Sequence, residues 1–212
     1  MFDAEGHIPL APVDVLNQAR ANPRRLVNDV LLAGTPFVFP SYREFCEFRE
    51  VLGVALHVHP HAMVVRGSAH LGYSYSPAPG KTWQKMDASG LSDIDVAIAD
   101  VELFLRLDDA NREWEQRQRP PLPGQPGFDW YQRRQLDRRF NCVLSSRIPF
   151  NTCVAFVDAL KSFDTRPFGV KKRSISAFVF RDWWSLRNRC EADLRDLCNG
   201  VTQGRLPDPA LK

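Results

Sequence analysis

The sequence has no long apolar run and no recognisable secretion signal. No stretch reaches the roughly 20 apolar residues that a membrane-spanning helix requires. The first residues, Met1 to Glu5, lack the basic start and the apolar segment of a signal peptide. These absences argue against a membrane protein and predict a cytoplasmic location.

The chain also lacks a strong excess of one charge and any paired-cysteine motif. It carries 28 Lys and Arg against 25 Asp and Glu, and this net charge of +3 is too small to indicate nucleic-acid binding by itself. The five cysteines form no CxxC pair, so neither a zinc ribbon nor a disulfide framework is indicated. We expect reduced cysteines that are mostly buried, because a free cysteine packs as a small apolar side chain.

The composition is that of a globular protein, with 44% hydrophobic and 25% charged residues in 212 positions. We expect one domain over 1–212. Apolar spacing and turn residues predict helices within 13–32, 41–60, 101–114, 128–140, 151–163 and 183–198, and strands at 62–65, 94–99 and 174–180. A long loop or hairpin-like insertion at 73–90, a Pro-rich loop at 119–127 and a loose tail at 199–212 separate or follow them. This order predicts an α/β (α+β) fold, a small mixed sheet flanked by helices.

Two short motifs carry the chemistry that we expect of this chain. The first is an apolar run that enters a glycine turn, Val65-Arg66-Gly67-Ser68, followed by Gly72. The second is Ser92-Asp93-Ile94-Asp95-Val96. Residues two apart on a strand point to one face, so the two carboxylates should project together. Their mutual repulsion favours a divalent cation, and Mg²⁺ prefers carboxylate and phosphate oxygens. Gly67 lets the backbone approach a phosphate, which the Ser68 hydroxyl could bind.

These motifs, within residues 62–104, resemble the nucleotidyltransferase superfamily, which includes DNA polymerase beta, antitoxin-type minimal nucleotidyltransferases and cyclic-oligonucleotide synthases of bacterial immunity. The resemblance implies transfer of a nucleoside monophosphate from an NTP, most simply ATP, to a protein or nucleic-acid hydroxyl. It implies Mg²⁺ or Mn²⁺ as the cofactor and a toxin–antitoxin or phage-defence setting with a partner protein. It assigns catalysis and metal binding to Asp93 and Asp95, and nucleotide binding to Gly67, Ser68, Arg66, Gly72 and Ser92.

The same resemblance requires a third carboxylate from a later strand. Asp182, at the end of the strand 174–180, is one candidate metal ligand, and Asp158 is another. A site without a third carboxylate favours the alternative, that the chain is a catalytically inactive binding or regulatory module that keeps the fold. Lys81, Lys85 and the run Lys171-Lys172-Arg173 are further candidates to meet a triphosphate.

Three other patterns allow a functional interpretation beside a structural one. His57, His59 and His61 alternate as zinc ligands would, but Pro60 breaks the strand geometry, so a surface or capping role is favoured. His70, inside the glycine turn, could contact a nucleotide. Trp183-Trp184 could stack on bases, although core packing is favoured. The basic helix 133–139 could bind RNA, tRNA or an acidic partner, or could simply be solvated.

Overall fold

The computed structural model describes residues 10–77, 80–86, 92–117, 120–148 and 153–211. One mixed sheet contains the strands β1 (Met63–Arg66), β2 (Ile94–Ala99), β3 (Cys142–Leu144) and β4 (Ile175–Phe180), in the spatial order β1-β2-β4-β3. β2 runs antiparallel to β1 and parallel to β4, and β3 runs antiparallel to β4. The prediction of a small mixed sheet flanked by helices is therefore confirmed.

Helices account for most of the remaining regular structure. They are α1 (Pro12–Ala21), α2 (Pro23–Leu26), α3 (Tyr42–Leu56), α4 (Ser68–Leu71), α5 (Val101–Gln116), α6 (Phe128–Arg139), α7 (Val154–Ser162) and α8 (Trp183–Thr202). A π-helical turn over Val27–Leu31 continues α2. Pro23 separates α1 from α2, as the sequence predicts, because proline cannot continue the hydrogen bonding of a helix interior. Of these helices, none is both long and apolar enough to cross a membrane.

The sheet has a hydrophobic core on each face. Ile94, Val96 and Ile98 of β2 pack into a core with α3, α5 and α7. On the opposite face, Ala97 belongs to a core with α1, α2 and α8, in which Tyr73, Tyr75 and Trp83 also take part. Because residues alternate between the faces of a strand, Asp95 lies on the α8 side of the sheet.

The chain packs on the body of the protein as far as Pro207, so the predicted loose tail at 199–212 is wrong for the residues up to this point. The helix α8 continues to Thr202, and Leu206 folds back and is only 6% exposed. A β-carbon at Gly200 would lie 2.5 Å from Cδ1 of Leu206, so the absence of a side chain at 200 makes this close packing possible. The indole Nε1 of Trp83 donates a hydrogen bond to the carbonyl of Pro207 at 2.8 Å.

Candidate functional site

The two sequence motifs meet at one end of the sheet. β1 ends at Arg66, which lies opposite Asp95 in the antiparallel register with β2. The turn at Gly67 therefore runs beside the start of β2. Gly67 has φ +66° and ψ −146°, a conformation that L side chains rarely adopt. A β-carbon built there would lie 3.1 Å from Oδ2 of Asp95, so the backbone of the glycine turn and the carboxylate are in direct proximity. Ser68, which directly follows Gly67 and is the first residue of α4, is half-buried.

The two carboxylates differ in environment. Asp93 is exposed, and its Oδ1 accepts a hydrogen bond from the Ser174 hydroxyl. Asp95 is half-buried, and burial raises its pKa to about 6, with Arg66 and Lys81 opposing that shift and Asp93 adding to it. A further positive charge near Asp95 would therefore stabilise its ionised form.

Arg66 is the buried basic residue beside Asp95. It is 8% exposed, its Nη2 donates to Oδ2 of Asp193 on α8 at 2.9 Å, and its guanidinium lies 5.0 Å from the centre of the Phe178 ring. The side chain is thus held between the sheet and α8. Its positive charge still acts on Asp95 from the neighbouring strand, while the exposed Lys81 acts from the hairpin-like segment.

Two of the predicted nucleotide-binding residues have structural roles. Gly72 ends α4 in the left-handed conformation, and a β-carbon there would lie 3.1 Å from the Phe37 ring. The carbonyl of Ser92 accepts a hydrogen bond from Nη1 of Arg173 at 2.9 Å, which fixes the chain just before Asp93. Both residues therefore shape the turns that carry the motifs.

The structure does not bring a predicted third carboxylate to the pair. Asp182 caps α8, where it accepts a hydrogen bond from the backbone N–H of Ser185 at 2.7 Å. Asp95 pairs with Ser176 on the parallel strand β4. Asp182 follows Ser176 by six residues, so it lies at the far end of the sheet, about 20 Å away at 3.3 Å per strand residue. Asp158 is on α7, a helix that packs on the other face of the sheet.

The position opposite Asp95 is occupied by a serine. Within the described part of the chain, no group of three or more His, Cys, Asp or Glu residues could hold a metal ion. Ser174 and Ser176 line the β4 side of the Asp93 and Asp95 pair, and neither was predicted as a site residue. The sequence does contain a signal for them, because the alternation in Ser-Ile-Ser-Ala from position 174 places two hydroxyls on one face of a strand.

The histidine patterns have structural explanations. Nε2 of His70 lies 2.7 Å from the carbonyl oxygen of Val30, and burial lowers the pKa of His70 to about 4. This neutral ring joins α4 to the π-helical turn. His59 and His61 are exposed, and their rings stack at 5.4 Å. His57 ends α3 in the left-handed conformation.

The basic helix α6 is partly an internal structural element. Arg134 is 4% exposed, lies over the Trp130 ring at 4.6 Å, and pairs with Glu115 at 3.0 Å. Its neighbour Arg138 is bound by Glu115 as well. These basic residues neutralise acidic groups of α5, which leaves a smaller positive surface than the sequence suggests.

Trp183 and Trp184 do not pack in the core, contrary to prediction. They are 42% and 56% exposed at the start of α8. The guanidinium of Arg187 lies 4.6 Å from the centre of the Trp184 ring. Both rings are at the end of β4 that is remote from Asp95, so they do not belong to the candidate site.

No family model, no curated protein and no solved structure matches this chain. A proposal for the function therefore depends on the residues around Asp93 and Asp95.

Proposed function

We propose that this chain binds a nucleoside triphosphate with Mg²⁺ or Mn²⁺ between Gly67-Ser68 and the Asp93 and Asp95 pair, and transfers its nucleoside monophosphate to a hydroxyl group. ATP is the proposed donor, and a protein or nucleic-acid hydroxyl is the proposed acceptor. The observation that carries this proposal is the approach of Gly67 to Asp95, where a β-carbon would lie only 3.1 Å from Oδ2. The glycine turn and the carboxylate pair thus approach each other, although 24 residues separate Ser68 from Asp93 in the sequence.

The donor set fits a magnesium ion that is shared with phosphate oxygens. Mg²⁺ typically takes one or two carboxylates from the protein and completes its coordination with water and substrate phosphates. Asp93 and Asp95 are the residues that would hold it, and the raised pKa of Asp95 reflects a carboxylate that lacks full compensation of its charge. When bound, the cation would neutralise charge on the phosphates. Since the ionised carboxylate is the ligand, affinity should fall as the pH drops below about 6.

The glycine turn and the serine would position the phosphates. Gly67 has no side chain to exclude a phosphate from its backbone, and the Ser68 hydroxyl can donate a hydrogen bond. In the transfer, the acceptor oxygen forms a bond to the α-phosphorus. The bond from that phosphorus to the bridging oxygen breaks, pyrophosphate leaves, and the acceptor proton passes to water. The chain's own contribution would be positioning of the phosphates and compensation of their charge.

The proposed setting follows the resemblance of the two motifs to minimal and defence-associated nucleotidyltransferases. That resemblance supports a cytoplasmic protein of a toxin–antitoxin or phage-defence system, with a partner protein from the same system. RNA or tRNA is a proposed acceptor alongside protein. This setting is an analogy at the level of motifs, since one fold can host many functions.

A second candidate function is nucleotide binding without transfer, as a regulatory module. Ser176 favours it, because this serine occupies the position opposite Asp95 where a third carboxylate would complete the metal site. Two carboxylates are enough to hold a cation that is also bound by phosphates, so loss of transfer would leave binding intact.

A transfer assay separates the two candidates. Each of the four NTPs, labelled at the α-phosphate, is incubated with the protein, Mg²⁺ and either total RNA or cell protein. Transfer predicts labelled acceptor and pyrophosphate release with the wild type and with Asp158→Asn, whose side chain is exposed on another helix. The double variant Asp93→Asn/Asp95→Asn should give neither product. Metal-dependent binding without labelled acceptor would favour the regulatory module, and absence of binding would contradict both.

A further inference from the structure

Arg49 is buried on the core side of α3. It shares that side with apolar residues such as Phe45, Phe48 and Leu52, yet it is only 9% exposed itself. Its Nη2 lies 3.4 Å from the Cys46 sulfur, a weak acceptor, and its guanidinium carbon lies 4.5 Å from the centre of the Phe45 ring. Its Nε is buried without a hydrogen-bond partner among the described residues.

Two other buried arginines, unlike Arg49, have a carboxylate partner among the described residues. Arg66 pairs with Asp193 at 2.9 Å, and Arg134 pairs with Glu115 at 3.0 Å. No carboxylate lies within ion-pair distance of Arg49 in the part of the chain that the structure describes. A buried cation is unfavourable unless an opposite charge and hydrogen bonds compensate it. An anion from outside the chain would supply that compensation.

Arg49 lines a cavity of about 150 Å³ between α3, α4 and the loop that follows the π-helical turn. Burial lowers the pKa of His70, which also lines the cavity, to about 4, so this ring is neutral near pH 7. The positive charge of the described lining is therefore that of Arg49. Tyr42, which also lines the cavity, is 53% exposed, so the cavity lies close to the protein surface at this residue. The lining is mixed: polar atoms form part of the wall, and apolar side chains form the rest, namely those of Leu32, Ala33, Pro36, Phe45, Val64 and Val65.

We propose that this cavity binds a small organic monocarboxylate. The planar guanidinium presents donors in a fork that matches the two oxygens of a carboxylate. The single positive charge of Arg49 matches a singly charged carboxylate better than a doubly charged phosphate, and the apolar part of the wall can contact a short hydrocarbon body. A cavity of this size equals the liquid volume of about five water molecules, which limits the ligand to a short acid.

This site is separate from the proposed nucleotide site. Its lining contains neither Asp93 nor Asp95, nor Gly67 or Ser68. The proposal of a monocarboxylate site therefore does not depend on the proposed function, and an experiment that refutes one proposal does not affect the other.

The test is a titration followed on the arginine side chains by NMR. Protein labelled with ¹⁵N-arginine is titrated with sodium acetate, butyrate, benzoate and phosphate, and with butyramide as an uncharged analogue of butyrate. The Nε–Hε signal of Arg49 is identified by its absence in Arg49→Met. We expect butyrate or benzoate to shift this signal in a saturable manner, with a weaker effect of acetate and none of butyramide.

Variants on the same helix establish which arginine is responsible. Arg43→Met removes an exposed arginine that pairs with Glu47, and it should bind the acids as the wild type does. Arg49→Lys keeps the charge without the fork. Its binding is followed in uniformly ¹⁵N-labelled protein on the backbone amide signals of Ala33 and Gly34, which line the cavity. Its affinity should fall about tenfold or more, because charge-assisted hydrogen bonds are lost. If Arg49→Met does not fold, the signal of Arg49 is identified by its absence in Arg49→Lys, and the comparison of butyrate with butyramide on the wild type still tests the proposal. Equal shifts by butyramide, tighter binding of phosphate, or no shift by any acid would overturn the proposal.

Discussion

The carboxylate of Asp95 lies against the α-carbon of Gly67, so close that a β-carbon at 67 would be 3.1 Å from Oδ2. The substitution Gly67→Ala should therefore act twice. It forces a side chain into a positive-φ conformation, which costs about 1–3 kcal/mol of unfolding free energy, and it displaces the carboxylate. We expect a lower urea midpoint and weaker binding of Mg²⁺ and ATP.

Gly204→Ala is the matched control for that change. Gly204 has nearly the same φ, +67°, but a β-carbon there meets no atom within 4 Å. It should lose stability through backbone strain alone and keep the nucleotide affinity of the wild type. Equal affinities of wild type and Gly67→Ala would show that the turn does not position Asp95.

Asp95 should make the stability of the protein depend on pH. Burial raises its pKa from 3.8 to about 6, so between these values the folded state holds more protons than the unfolded state. The contribution of Asp95 to stability is then greatest near pH 4, falls as the pH rises through about 6, and stays low above it. Asp95→Asn should remove this part of the dependence of the unfolding free energy on pH, and the variant should be more stable than the wild type at pH 7. Urea unfolding of both proteins between about pH 4 and about pH 8 measures it, and parallel pH profiles would disprove the assignment.

The pair of Arg66 and Asp193 should be important for stability. Their side chains are 9% and 17% exposed and join β1 to α8 at 2.9 Å. Asp193→Asn leaves the buried guanidinium without its partner carboxylate, which typically costs about 3–5 kcal/mol. The exposed pair of Arg25 and Asp29 gives the control, since Asp29→Asn should cost less than about 1 kcal/mol. Similar urea midpoints for the two variants would contradict the prediction that the buried pair stabilises the protein more than the exposed pair does.

A carboxylate placed at Ser176 should create the missing third metal ligand. Ser176→Asp puts a negative charge opposite Asp95, so the variant should melt at a lower temperature than the wild type in EDTA. Mg²⁺ should raise its melting temperature more than that of the wild type, because a cation relieves the repulsion. Ser162→Asp, on the exposed part of α7, should show neither effect. A Ser176→Asp variant that Mg²⁺ does not stabilise would show that position 176 does not face the pair.

The packed end of the chain can be tested at Leu206. Burial of this side chain against Gly200 predicts that Leu206→Ala lowers the free energy of unfolding by about 2–5 kcal/mol. Leu211→Ala is a suitable comparison, because Leu211 is 87% exposed and should be nearly neutral. A neutral Leu206→Ala would mean that the tail is loose after all.

Local sequence signals were sufficient for much of the fold. Ser41 and Glu44 indicated the start of α3, where Ser41 accepts from the Glu44 N–H, and the β-branched run Ile94–Ala99 matched β2 residue for residue. The strand Cys142–Leu144 was missed because three residues carry too little periodicity. The motifs predicted that Gly67 and Asp95 lie close together, and the structure shows this proximity.

Features that depend on distant partners could not be read from the sequence. Arg66 and Asp193 are 127 positions apart, and only the packing of α8 on the sheet brings them together. The register that sets Ser176 opposite Asp95 likewise depends on how β2 and β4 pair. Asp182 seemed a plausible ligand from its place at the end of a strand, but parallel pairing sends that end away from Asp95. The exposure of Trp183 and Trp184 also follows from tertiary packing, which aromatic composition alone does not reveal.

The central claim is that Asp93 and Asp95 hold a cation together with a nucleotide. Calorimetric titration of ATP into the wild type, with Mg²⁺ and with EDTA, tests it most directly. We predict binding that requires Mg²⁺ and that Asp93→Asn/Asp95→Asn abolishes, while Asp158→Asn binds as the wild type does. A folded wild type that binds none of the four NTPs in the presence of Mg²⁺, or a double variant that binds ATP normally, would contradict the account.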